Sequence, residues 1–165
     1  MFPQHLRQMA EAILAEATRK GVMIVSAESC TGGLIMGCLT DVPGSSAVVD
    51  RGFISYSYDS KINDLGVDKD LLEKTGAVSS EVALQMANGA LKNSKAQLAV
   101  SATGIAGPGG ATENKPVGLV YIGVANSKTG KSYAIKNLFG GDRSAVRLST
   151  VETALTALRK EIDAL

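Results

Sequence analysis

A chain of 165 residues, 45% apolar and close to neutral at +1, can form one domain that buries roughly two thirds of its unfolded surface. The balance of 17 basic against 16 acidic residues argues against electrostatic binding of nucleic acid. One histidine and two cysteines leave too few groups for a Ser-His-Asp triad at an obvious nucleophile, a typical zinc site or a disulfide framework.

In chain order, His5 to Lys20 has helical spacing, with Leu6, Met9, Ile13 and Leu14 on one face and Gly21 as the stop. Glu11 and Glu16 make this opening unlike a signal peptide. No stretch reaches the ~18 apolar residues of a membrane span. With Cys30 and Cys38 outside any CxxC pair, the expectation is a cytoplasmic protein. Val22 to Ala27 predicts a strand buried on both faces. A glycine-bearing helix follows from Thr31 to Thr40, then a turn at DVPGSS, then a long strand or pair of strands over Ala47 to Ser57.

Asp68 to Lys74 reads as a short helix. Ser79 or Ser80 caps the next one, which has Glu81 in its first turn and Ala83, Met86, Ala87, Ala90 and Leu91 on its apolar face. Gln97 to Thr103 is a second buried strand, leading into the loop GIAGPGGATENKPVG. Leu119 to Ala125 and Ser132 to Leu138 suit a hairpin around Lys128, Thr129 and Gly130. Asp142 caps a last helix with Val151, Ala154, Leu155, Leu158 and Ile162 inward. The alternation predicts an α/β domain: a three-layer α/β/α sandwich on a mixed, mostly parallel sheet, spanning residues 1–165. Ligands of such sheets gather at strand carboxyl ends, which selects the loops at Glu28 to Gly33 and Thr103 to Gly110.

In AESCTGG, a strand end runs into a glycine-rich helix start. Ser29 there is either a nucleophile beside free backbone amides or an ordinary cap. Cys30 is either a rival nucleophile or a small apolar packing residue. In GFISYSYDSK, Lys61 follows Tyr56 past a turn. A buried lysine can serve as a base and a tyrosine can relay a proton, or both can be ordinary surface and packing residues. The loop with Gly104, Gly107, Gly109 and Gly110 is neither a Walker A nor a GxGxxG motif. It reads as a backbone cradle or as a stiff connection. Arg143 sits at a helix start, against the dipole, and could grip an anion or pair with Asp142.

Taken together, AESCTGGLI, TDVPGSS, GFISYSYDSK, GAVS, TGIAGPGG, KPVG and GDR resemble the CinA C-terminal domain family over nearly the whole chain. The resemblance implies nicotinamide-nucleotide amidohydrolase activity, which converts nicotinamide mononucleotide (NMN) to nicotinate mononucleotide and ammonia without a metal or other cofactor. It implies a stand-alone domain, with NMN as partner, no nucleic acid or membrane, and assembly as a homodimer or higher homo-oligomer. It assigns Ser29 as nucleophile and Tyr56 and Lys61 as the groups that activate it. It places Thr103 and Arg143 at the site, with Thr31, Gly32, Gly33, Gly104 and Gly107 as substrate-binding positions. Where family members commonly read Ser-Asn-Glu-Ala-Lys, this chain has Ser57-Tyr58-Asp59-Ser60-Lys61. The alternative is an inactive module that binds a nucleotide or a partner.

Overall fold

The computed structural model describes residues 1–165. Five strands form one sheet in the order β2-β1-β3-β4-β5: β1 Ile24–Glu28, β2 Val49–Ile54, β3 Leu98–Gly104, β4 Leu119–Asn126 and β5 Lys131–Leu138. β1 pairs in parallel with β2 on one side and β3 on the other, whereas β3, β4 and β5 pair antiparallel. The sheet is therefore mixed, with its parallel half centred on β1. Six α-helices complete the domain: α1 Gln4–Lys20, α2 Leu34–Thr40, α3 Tyr58–Leu65, α4 Lys69–Thr75, α5 Ser80–Lys92 and α6 Arg143–Asp163. No helix is long and apolar enough to cross a membrane.

Two cores separate the three layers. One gathers Leu6, Ile13 and Leu14 of α1, Ile35 and Leu39 of α2, and Val151, Leu155 and Leu158 of α6 against Ile24, Leu98 and Ile122 of the sheet. The other joins Leu65 of α3, Leu72 of α4 and Val82, Met86 and Ala87 of α5 to Val25, Ala27 and Ala99. Alternate β1 residues thus face opposite layers, and all five are buried, as a central parallel strand requires.

Most predicted elements match within a few residues, but three differences bear on the site. The strand expected over Ala47 to Ser57 is shorter: Ser45–Ala47 is a 3-10 turn and β2 ends at Ile54. Where a turn was expected before Lys61, α3 begins at Tyr58. It is capped by Ser57, whose hydroxyl accepts from Ser60 N–H, and is stopped by Gly66 at φ 67°. The helix expected from Thr31 begins at Leu34, because Gly32 and Gly33 take φ of 60° and 98°. That backbone region suits glycine and ends regular structure.

The chain leaves β1 for β2 on one side and returns to β3 on the other, so β1 is a topological switch point. The carboxyl ends of three parallel strands meet there. Ser29 N–H donates to Ala102 O and Ser55 N–H to Glu28 O, both at 2.9 Å. On the α5 side the sheet lies so close that a Cβ on Gly123 would fall 2.3 Å from Ala83 O and 2.5 Å from Ser101 Oγ. Gly123→Ala is expected to destabilise by about 2–3 kcal/mol through overpacking. A calorimetric Tm within a degree of wild type would contradict that close approach.

Candidate active site

Lys61 carries the site. On α3 it lies one turn before Leu65, on the same inward face, and it is the largest fully buried side chain in the protein. Its Nζ lies 2.6 Å from Ser55 O, 3.2 Å from Tyr56 O and 3.0 Å from Ser29 Oγ. No carboxylate pairs with it. Burial pulls its pKa from 10.5 down to about 8, because the ammonium loses its hydration. The two carbonyls can only accept. In the neutral amine they take both N–H groups, and the nitrogen lone pair is left facing Ser29. Ser55 Oγ beside this cluster is the single buried side-chain polar atom without a hydrogen-bond partner. Such a local misfit is common at functional sites.

Ser29 does not cap α2. The only hydrogen bond of its hydroxyl is with Lys61. The cap is Glu28, which sequence reasoning passed over. Its carboxylate, fully buried at the end of β1, accepts from Ser26 Oγ at 2.9 Å and Thr31 Oγ1 at 2.7 Å. It also accepts from the N–H groups of Gly33 at 3.0 Å, Ile35 at 3.0 Å and Met36 at 2.9 Å. The helix start is therefore filled by the protein's own carboxylate. Gly32 N–H bonds Ser29 O at 3.1 Å, and Leu34 N–H bonds Thr31 O at 3.3 Å. Along Ser29 to Met36, only the N–H groups of Cys30 and Thr31 have no acceptor. The amides of Gly32 and Gly33, expected to bind substrate, are committed internally, and so is the Thr31 hydroxyl.

Tyr56 enters through its backbone. Its carbonyl holds Lys61, while its side chain is 63% exposed and its hydroxyl receives a long 3.4 Å bond from Arg143 Nη2. Ser29 and Lys61 are in direct hydrogen-bond contact, while the Tyr56 phenol meets Arg143. Arg143 Nη1 also donates to Gly107 O at 2.8 Å, so the guanidinium ties the glycine loop to the rim. Thr103 is buried, and its hydroxyl donates its one proton to Ala77 O at 2.7 Å. Gly104 and Gly107 line the cleft, but close packing already explains both. A Cβ would fall 2.6 Å from Val120 at Gly104, and 2.5 Å from Val117 at Gly107.

A cleft of about 190 Å³ beside the Ser29 turn is lined by Cys30, Tyr56, Arg143 and residues of the glycine loop from Gly104 to Gly110. That is below the ~300 Å³ at which pockets for whole drug-sized ligands begin. Cys30 packs in the core, and burial pushes its thiol up to about 11, far from the thiolate a cysteine hydrolase needs. His5 lies on α1, 3.6 Å from Glu152, and takes no part. No group of three or more His, Cys, Asp or Glu is placed to hold a metal. Arg147, also missed from sequence, lies one turn beyond Arg143. It donates to Cys30 O at 3.1 Å and Thr31 O at 2.9 Å.

Glu28→Ala would orphan five donors in a dry environment and is expected to cost roughly 3 kcal/mol or more. Urea denaturation should show a lower midpoint at unchanged slope. A loss near ~0.5 kcal/mol, typical of a surface change, would mean that the carboxylate does not hold the turn.

The CinA C-terminal domain family matches residues 6–162. The nicotinamide-nucleotide amidohydrolase PncC of Enterobacter agglomerans is 47% identical over 163 residues, covering 98% of this chain and 99% of that protein. A Caldicellulosiruptor saccharolyticus protein, provisionally named as competence-damage inducible, is 52% identical over 154 residues. That match covers 93% of this chain but only 37% of the longer relative. The crystal structure of the competence/damage inducible protein CihA from Agrobacterium tumefaciens superposes with a TM-score of 0.95 at 47% identity, over 99% of this chain and 98% of that one. By sequence and by fold, the chain belongs to the CinA C-terminal domain family.

Proposed function

We propose that this protein is an amidohydrolase that converts NMN and water to nicotinate mononucleotide and ammonia through an acyl-Ser29 intermediate, a step of pyridine nucleotide recycling. One observation carries the reading: a buried Lys61, without a counter-charge, 3.0 Å from Ser29 Oγ. The similarity to PncC over its whole length supports the choice of substrate.

In this scheme neutral Lys61 takes the Ser29 proton as Oγ attacks the carboxamide carbon. The oxyanion settles against the free N–H groups of Cys30 and Thr31, fixed donors of the kind that stabilise developing charge. The C–N bond then breaks, and Lys61 returns the proton to the departing nitrogen, giving ammonia. Water next attacks the acyl-enzyme and passes its proton to Lys61. The C–Oγ bond breaks and Ser29 is protonated again. The small cleft takes the pyridine carboxamide, with Tyr56 flanking the ring. Ribose and phosphate extend past the rim, where Arg143 offers a cation bound to no carboxylate. No step calls on a metal or cofactor.

Ammonia release from NMN by the purified protein tests the reading. Ser29→Ala and Lys61→Met are each expected to lower kcat at least ~10³-fold. Normal turnover by Ser29→Ala would overturn it. The Lys61 base also sets a pH dependence. Below about 8 the amine is protonated and cannot accept, so kcat/KM should rise with pH and level off above about 8. A profile flat from pH 6 to 9 would remove Lys61 as the base.

A further inference from the structure

A planar trans peptide points its C=O and N–H in opposite directions. The direction of an oxyanion donor is therefore set by whatever holds the carbonyl on the other side of the same peptide. For the Cys30 amide that carbonyl is Ser29 O, fixed within the turn by Gly32 N–H at 3.1 Å. For the Thr31 amide it is Cys30 O, and the only group bonded to it is Arg147 Nε, at 3.1 Å from a helix 117 residues away in sequence. The same guanidinium reaches Thr31 O through Nη2 at 2.9 Å and would sit 3.4 Å from a Cβ at Gly32. It has no carboxylate partner.

We infer that Arg147 is a positioning residue for the oxyanion site. By holding the Cys30 and Thr31 carbonyls toward α6, it keeps the Thr31 N–H turned away from α6 and without a protein acceptor. Without it, the Cys30–Thr31 peptide loses its only hydrogen bond and is the one peptide of the turn left to tilt, which misdirects one of the two donors. The fork geometry matters: two parallel N–H groups meet two successive carbonyls, which a lysine ammonium cannot match. The sequence does not reveal this role, since Arg147 lies far along the chain and needs no contact with substrate.

The inference rests on serine acylation at Ser29 but not on NMN as the substrate, and the test separates the two. Pyridine-3-boronic acid should form a tetrahedral adduct with Ser29 whose affinity depends on the oxyanion donors. In the wild-type protein a Ser29-dependent adduct is expected by ¹¹B NMR and by titration. Arg147→Ala should weaken it at least ~10-fold, and should lower kcat for NMN by about 10²-fold with KM within about threefold, as for loss of one oxyanion donor. Arg147→Lys, which retains charge and bulk, should fall between; it also serves as the test protein if the alanine variant does not fold. Wild-type adduct affinity in a folded Arg147 variant would overturn the inference. So would the absence of a Ser29-dependent adduct in the wild-type protein, or a change confined to KM. An adduct that responds to Arg147 in a protein that releases no ammonia from NMN would uphold the inference and refute the substrate assignment.

Discussion

The Glu28 carboxylate governs the geometry of everything near Ser29. A buried carboxylate is tolerable only when its oxygens are fully engaged, and here five donors converge on it. Three of those donors are amides at or next to the first turn of α2, so one side chain ties the end of β1 to the helix that follows. The turn between them has little freedom left. Gly32 and Gly33 supply the positive φ that brings the amides round to the carboxylate. Ser29 then stands out from a backbone fixed on both sides, by Ala102 O behind and Glu28 ahead.

Lys61 depends on that rigidity. A lysine can be buried without a carboxylate only if its N–H groups find acceptors and the cost of desolvation is expressed as a lowered pKa. Ser55 O and Tyr56 O supply the acceptors because β2 ends at Ile54, and the chain then runs to α3 with its carbonyls turned to the amine. An aspartate at the same distance would hold the ammonium in its charged form. Neutral carbonyls orient the nitrogen without adding a negative charge.

Much of this was legible in the sequence. Burial on both faces of Val22 to Ala27, the antiparallel hairpin and the apolar faces of α1, α5 and α6 follow from periodicity, and the family motifs pick out Ser29 and Lys61. The errors had identifiable physical causes. Helix α3 was missed because its eight residues are too few for a clear period, although Ser57 at its cap and Gly66 at its end mark it. Glu28 was passed over because a carboxylate at a strand end usually faces water. For Thr103 and Tyr56 the motifs name the residues but not the direction of their side chains, which the fold turns to Ala77 O and Arg143. Arg147 left no local signal beyond its position one turn from Arg143.

The wall of the cleft has a consequence for variation among relatives. Beside Cys30, Tyr56 and Arg143 it is formed by the loop from Gly104 to Gly110, in which four of the lining residues are glycines and offer main chain alone. Main-chain surface keeps its shape when ordinary residues are exchanged elsewhere. It cannot easily be resized one side chain at a time, because a Cβ at Gly104 or Gly107 would strike Val120 or Val117. A change in the shape of the cleft would have to come from loops of different length between β3 and β4. Divergence in the shape of the cleft within such a fold should therefore appear as insertions and deletions in that segment.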